Sequence, residues 1–504
     1  MRNTAGISGT FASILAIATL AVLIVWGAMT IETRGNSLVH SGVVLHFAFN
    51  TIIVLIALGF ALRRHPYSMN LFHLVGLLIF ACVAGFYQYL TGAFPLAGPV
   101  MIFVDEIPVA SFVVTLWILF YLGGYAVRDR MSSQIRPSRF IHSFEKPVSV
   151  ASVHFSLIVG FFALIYLASL GLVGAFTRAA AESTLSLTSS GPLYLVNQVF
   201  VRAIPLLAVA GTALAIRHSG SVMDIGLLLP MFLFDVVGVL ITNSPFAAAR
   251  YWFVAVAVGM SAPHLLAGRK TAVPMLFCLI LGLSVLPSIG AARDAQTLAE
   301  VIRDYLRIDS PFEYLAHSGD VDAFGMICLA LKWMAIHGVR WGMQMLGAAL
   351  FFVPRSIWPD KPIGTGAMVS GDLGFDFTNL SVPIMTEPLV DFGVIGVPVV
   401  AFAFGWILAS LDRSYWTPFD PASSPTGFRR IDIIYPFWVG LVLFITRGDL
   451  LSSFGYTVGI TIAMLPFVIV PARIRARHAA VDQDSARDFS DPLAPSRNGF
   501  SDLR

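Results

Sequence analysis

The stretch SGTFASILAIATLAVLIVWGAMT, residues 8–30, carries no charged side chain from end to end. At about 1.5 Å of rise per residue, such a run is long enough to cross a hydrocarbon core of about 30 Å as a single α-helix. Arg2 precedes it, as a basic residue precedes a secretory signal. The run is too long for a signal core, however, lacks a small-x-small cleavage site and is followed by more of its kind, so it reads as a retained helix. Comparable runs recur at 42–62, 71–91, 107–127, 150–172, 193–216, 224–242, 250–267, 272–289, 390–411, 431–447 and 452–471, which makes about twelve spans.

Composition agrees with that reading. Of 504 residues 57% are hydrophobic and 12% charged, and the mean hydropathy is +0.79. A chain with so little polar surface cannot cover a soluble globule of this size. The sequence therefore predicts an all-α integral membrane protein, with residues 1–475 as one polytopic unit. Residues 476–504, rich in Asp, Ser, Pro and Arg and poor in large apolar side chains, read as a cytosolic tail that cannot bury enough surface to fold.

Basic residues fall in alternate loops: Arg63 and Arg64; Arg128, Arg130, Arg136, Arg139 and Lys146; Arg217; Arg269 and Lys270; Arg413, Arg429 and Arg430; and Arg473, Arg475 and Arg477. The positive-inside rule then puts both termini in the cytoplasm. The formal net charge of +3 reports this topology and gives no reason to expect a nucleic-acid partner. Cys82, Cys278 and Cys328 are isolated from one another, so neither a disulfide framework nor a metal cluster is indicated. The chain has no P-loop, no HExxH and no dinucleotide fingerprint, and no cofactor is expected.

One connection, about 290–388, is far longer than a usual loop and is placed on the outer face. Within it, Phe324, Ile327, Cys328, Leu331, Met334 and Ala335 share one helical face, with Asp320 positioned as the N-cap. The piece from Trp341 to Val353 is too short to span and reads as interfacial or re-entrant. Then comes FFVPRSIWPDKPIGTG, residues 351–366, in which Arg355, Asp360 and Lys361 stand between rigid prolines and permissive glycines. A loop of this kind lying on the membrane is expected to cover a cavity between the spans.

Charged groups near mid-membrane are costly and are usually kept for a task. Arg202 and Asp235 qualify, with an interhelical ion pair as the structural alternative, and Arg250 sits at the outer edge, where it could simply snorkel. Arg250, Arg340, Arg355, Lys361 and Arg447 collect on the outer side, beside Asp320, Asp322, Asp360, Glu387 and Asp449. Arginine's planar two-pronged donors suit a phosphate. The mixture suits transfer of a group away from a phosphorylated lipid, with cations on the departing pyrophosphate and a carboxylate or histidine taking a proton from the attacking hydroxyl. The bland alternative is a loop held by surface ion pairs. Trp333, Trp341 and Trp358 can stack on sugar rings, but tryptophan favours membrane interfaces whatever the ligand.

The ordered set NSPFAAARYWF (243–253), GDVDAF (319–324), GMQMLGAALFFVPRSIWPDKP (342–362) followed by GTG, NLSVP (379–383) and EPLVDFG (387–393) resembles the bacterial oligosaccharide repeat-unit polymerases of the Wzy type, which make O-antigen and capsule. The similarity covers roughly residues 240–410. It implies a GT-C-like membrane glycosyltransferase of the bacterial cytoplasmic (inner) membrane. At the outer face such an enzyme passes a growing glycan from undecaprenyl pyrophosphate to the next undecaprenyl-pyrophosphate-linked oligosaccharide and releases undecaprenyl pyrophosphate. It works among membrane lipid, with a chain-length regulator and a flippase as implied partners. The resemblance carries over the arginine after the Asn/Pro turn to Arg250, the Pro-Arg loop arginine to Arg355 and the acidic residue before Phe-Gly to Glu387. Arg355 and Gly366 also fit a loose Arg-x10-Gly spacing of the family. Where the family often has Glu-x-Tyr-x-Asn-Phe-Gly, this chain has Leu389 and Asp391.

On this reading Arg250, Arg355 and Lys361 hold pyrophosphate, with Arg340, Arg447 and Arg202 as weaker candidates. Glu387 is the first choice for the base, followed by Asp320, Asp322 and His337. Each has a structural alternative: Glu387 pairing with Lys361, Asp320 only capping a helix, His337 lying at the interface. A lipid-linked oligosaccharide flippase or transporter, or a ligase-like glycan transferase, would share the span count or the donor chemistry. Against a transporter, no internal repeat is evident and the polar residues crowd toward one face.

Overall fold

The computed structural model describes residues 2–31, 40–65, 67–131, 139–150, 192–219, 222–243, 310–377 and 382–469 apart from 422, 423 and 425, with short pieces at 153–154, 252, 255–260 and 380. The described chain is almost wholly helical, and its strands, Ala93–Phe94 and Gly98–Pro99, form one two-residue hairpin.

The helices are α1 (Arg2–Thr30), α2 (Ser41–Arg64), α3 (Met69–Thr91), α4 (Glu106–Arg130), α5 (Arg139–Phe144), α6 (Pro192–Arg217) and α7 (Val222–Thr242). After them come α8 (Pro311–His317), α9 (Ala323–His337), α10 (Met343–Ala349), α11 (Thr365–Asp372), α12 (Thr386–Phe392), α13 (Gly396–Trp416), α14 (Arg430–Arg447), α15 (Leu450–Ile462) and α16 (Leu465–Ile469). Among the described residues six stretches are long and apolar enough to cross a membrane: Ser13–Thr30, Ser41–Arg64, Met69–Thr91, Glu106–Arg130, Ile225–Thr242 and Thr386–Trp416. These match expected runs. The runs expected at 150–172, 250–267 and 272–289 lie largely or wholly outside the described residues. The run expected at 452–471 is divided within its described part into α15 and α16, because Pro466 has no N–H with which to continue the helical ladder.

Two helices form the centre. α3 is buried along nearly its whole length and contains a π-helical segment, Leu77–Val83. α14 is enclosed on all sides. Since apolar side chains gain little by leaving lipid for protein, such helices associate through close backbone approach and polar contacts. Both are present. α4 and α13 touch so closely that a Cβ at Gly124 would lie 2.0 Å from the Phe402 carbonyl oxygen, and one at Gly405 would lie 2.2 Å from that of Tyr121. His73 Nδ1 bonds Thr446 Oγ1 across α3 and α14 at 2.8 Å, while Trp117 Nε1 donates to His73 Nε2 at 3.2 Å. Hydroxyls elsewhere in the bundle turn back on the carbonyl one turn earlier, as Thr51, Thr212 and Thr457 do, which removes the cost of an unpaired polar group.

The connections segregate to opposite ends of the bundle. At one end Arg64 pairs with Asp129, His65 stacks on Trp416, and the Arg430 amide donates to the Lys146 carbonyl. Asp412 is the hub there, accepting from the Met69 and Asn70 amides and from the Tyr125 and Tyr435 hydroxyls. These are the basic loops assigned to one side from sequence. The other end carries the residue 93–105 turn, the Ser310–Met385 region and the start of α15.

Two expectations for the long loop change. α9 is capped by Asp322, whose side chain accepts from the Gly325 amide. Asp320 is not the cap, because it lies one short turn earlier, in the 3-10 segment Gly319–Val321. The first half of α9, Ala323–Ala330, is buried all round, since it is enclosed by protein on every side, so it has no amphipathic surface there.

Candidate functional site

At the end opposite the basic loops, the FFVPRSIWPDKPIGTG loop is folded around its own lysine. Lys361 Nζ donates to the Phe351 and Val353 carbonyls at 2.9 and 2.8 Å. The side chain is buried, and burial together with the nearby Arg355 charge pushes its pKa down. The ammonium thus closes the loop on itself, and the pairing of Lys361 with Glu387 weighed from sequence does not occur. Past the lysine, Pro362 packs on Gly347 of α10, and the chain enters α11 at Thr365.

The start of α11 rests on two carboxylates. Glu387, in the first turn of α12, accepts from Thr365 Oγ1 through one oxygen and from the Leu450 amide at 3.0 Å through the other. Asp449, the N-cap of α15, accepts from the Gly366 amide at 3.2 Å and the Leu451 amide at 3.0 Å. Both acids are almost fully buried. Burial raises the Asp449 pKa above the ordinary carboxylate range. A glycine is needed at 364, since a Cβ there would lie 2.6 Å from Asp449 Oδ2. The Gly-Thr-Gly sequence therefore lets the backbone sit on the carboxylates. Two acids buried near one another oppose each other's ionisation.

Asp391, whose departure from the family pattern left its role open, caps α10 by accepting from the Gln344 and Met345 amides at 3.0 and 2.8 Å. Gln344 Nε2 in turn reaches Met368 Sδ in α11. These bonds tie α10, α11 and α12 into one assembly.

The other candidates separate into buried braces and exposed groups. Asp322 is fully buried and accepts from Gly325 N, Leu96 N and Ala97 N at 3.1, 2.7 and 3.2 Å. Burial raises its pKa against the pull of those donors. Arg447 donates to the Asp320 and Gly319 carbonyls at 2.9 and 3.0 Å. Asp320 accepts from the Tyr314 hydroxyl. Asp322 and Arg447 therefore fix the long loop to the bundle. His337, Arg340, Arg355 and Asp360 are exposed. His337 stacks on Trp333, whose indole N–H is held by Asp372, and Arg355 Nη1 reaches the Pro359 carbonyl at 3.4 Å.

Arg202 is buried in α6, and its carbonyl accepts from Asn243, which also holds the Trp252 indole. Asp235 lies against the Thr212 hydroxyl at 3.4 Å, which it shares with the Ala208 carbonyl, in place of the Arg202 pairing considered from sequence. Arg250 lies outside the described residues. Sequence reasoning placed Asp449 among the outer-side carboxylates without giving it a role, and it missed Thr365. The signal was present in GTG and in an aspartate directly ahead of an apolar helix. Among the described residues no group of His, Cys, Asp and Glu is arranged to hold a metal ion.

The fold and this site define an all-α chain with several helices able to span a membrane and a loop cluster at one end that covers two buried acids. Comparison with family models, curated proteins and solved structures finds no match.

Proposed function

We propose that this chain is a membrane glycosyltransferase of about twelve spans and GT-C-like layout that polymerises undecaprenyl-pyrophosphate-linked oligosaccharide repeat units. On this reading it lies in the bacterial inner membrane with both termini cytoplasmic, works at the outer face, and meets a flippase and a chain-length regulator. The motif resemblance over residues 240–410 supports it. The single observation that carries it is the seating of the Arg355 loop on the Glu387–Asp449 pair through Thr365 and Gly366.

In the reaction, the bond from the anomeric carbon to the pyrophosphate oxygen breaks and the electron pair leaves with the pyrophosphate. A bond forms from that carbon to an acceptor hydroxyl, whose proton passes to Glu387. Pyrophosphate needs no acid to depart, so the cations Arg355, Arg340 and Arg250 serve it by charge. The attacking hydroxyl does benefit from a base. Glu387 reaches it when Thr365 and the start of α11 move aside, a gating motion of the kind loops perform around bound substrate. Asp449 keeps the proton within the pair. Lys361 and Asp322 act on the loop's shape and not on the substrate.

The test deletes the gene in its native host and complements with wild type, Arg355→Ala or Glu387→Gln at matched membrane levels. Surface and lipid-linked glycans are then separated by size. Loss of long polymer with single repeat units still delivered outside supports the reading. Repeat units trapped on the cytoplasmic side would indicate a flippase, and unchanged glycans would refute a role in glycan assembly.

A further inference from the structure

The turn between α9 and α10 combines a strained backbone with a displayed side chain. Trp341 has φ of 54°, the one positive φ outside glycine among the described residues, in a region that bulky L-residues rarely enter. Gly338 and Gly342 on either side also have positive φ, 73° and 85°. The strain is enforced from α12: the Arg340 amide donates to the Val390 carbonyl at 2.9 Å, and Asp391 holds the amides of Gln344 and Met345. Gly342 lies against Phe392, whose ring would be 2.9 Å from an added Cβ. The result is an indole that is 80% exposed. Trp333, by contrast, is buried and hydrogen-bonded, so the loop's tryptophans do not share one role.

What surrounds Trp341 identifies its partner. Phe392 and Ile395 are exposed, Ile395 at 80%, and Val399 follows at 66%. Ile395 and Val399, four residues apart at the start of α13, share one face of that helix, and Phe392 stands just ahead of them across the break at Gly393, all within the stretch Thr386–Trp416, which is apolar and long enough to span. The exposed Ile336 and Leu346 flank the turn in sequence. Arg340, exposed, is the residue beside the indole. An apolar surface continuous with a membrane-facing helix, ending in a tryptophan and a cation, has the layering of a bilayer interface.

We propose that the Gly338–Gly342 turn is a lipid anchor of the outer loop. It sets Trp341 at the boundary of acyl chains and headgroups and Arg340 at the level of the lipid phosphates. The occupant is bilayer lipid, and the proposal does not depend on any glycan chemistry. Through Asp391 and Gln344, the anchor holds α10 and α11, and so the loop over Glu387, at a fixed depth.

The experiment reconstitutes the full chain in nanodiscs of ordinary phosphatidylcholine and of phosphatidylcholine brominated at acyl carbons 6 and 7. Subtracting the emission of Trp341→Phe from that of wild type isolates Trp341. The expected result is at least a twofold loss of that emission in brominated lipid and little quenching by aqueous acrylamide. Unchanged emission in brominated lipid with strong acrylamide quenching would overturn the proposal and leave the turn to a soluble partner. If Trp341→Phe fails to fold, Ile395→Cys carries the test on ordinary right-handed backbone, with φ of −69°. Its spin label should be more accessible to oxygen than to an aqueous nickel chelate, and the reverse order would sink the proposal. Cys82 and Cys328 are buried, and unsubstituted protein supplies the labelling background.

Discussion

Replacing Asp322 should destabilise the protein far more than it alters chemistry. The carboxylate is the acceptor for three amides, those of Gly325, Leu96 and Ala97. Leu96 is partly exposed, whereas Gly325 and Ala97 are buried, so Asp322→Ala strands two donors with no access to water. At about 1–3 kcal/mol for each buried donor left unpaired, the loss is about 2–6 kcal/mol. Asp322→Asn keeps one carbonyl oxygen, which can face the Leu96–Ala97 pair or Gly325 but not both, and should cost about 1–3 kcal/mol. The assay is thermal unfolding of the detergent-solubilised protein, followed as loss of the monodisperse peak on size exclusion, with glycan length measured at matched membrane levels. Stability should fall in the order wild type, Asn, Ala, and on the proposed function polymer should track the amount of folded protein. An Asp322→Asn variant as stable as wild type but devoid of polymer would refute this reasoning and restore Asp322 as a candidate base.

Further outcomes follow from single contacts. Gly364→Ala drives a methyl to 2.6 Å from Asp449 Oδ2, so it should lift α11 and make the 351–366 loop susceptible to added protease while the bundle stays folded. Gly124→Val forces apart α4 and α13, where backbone meets backbone, and should cut the yield of folded protein severalfold, as overpacking by about 1–3 kcal/mol would. His65, stacked on Trp416, has its pKa lowered to about 4 from 6.5, first by burial and then by the Arg64 charge. The neutral imidazole is thus favoured by folding. Its stabilisation is complete above pH 6.5 and is lost as the pH falls toward 4. His65→Gln should flatten the wild-type decline in unfolding temperature across that window, and an identical decline in both proteins would count against the assignment.

The spans were legible because a bilayer demands uninterrupted apolar runs, and 42–62, 71–91 and 107–127 reappear with small changes at their ends. The enclosure of α14 was not legible, since hydropathy reads the same whether a helix meets lipid or protein. Asp320 and Asp322 differ in role through contacts made far along the chain, with Leu96 and Ala97. Nothing in the local pattern separates them. Lys361 and Arg447 bond main-chain carbonyls, partners that every residue offers and no motif marks. The GTG sequence marked a close approach but not what lay beneath it.

The hub at Asp412 also constrains how the chain is made. It ties Met69 to a residue 343 positions later, and His73 waits for Thr446, 373 positions away. At synthesis rates of about 5–20 residues per second, α3 spends roughly 20–70 s in the bilayer before these partners leave the ribosome. Throughout that interval the His73 imidazole sits in a helix without its bond to Thr446. Biogenesis of this protein therefore calls for a sheltered intermediate, held at the insertion machinery, in which the first half of the chain is kept from lipid and from neighbours until the second arrives.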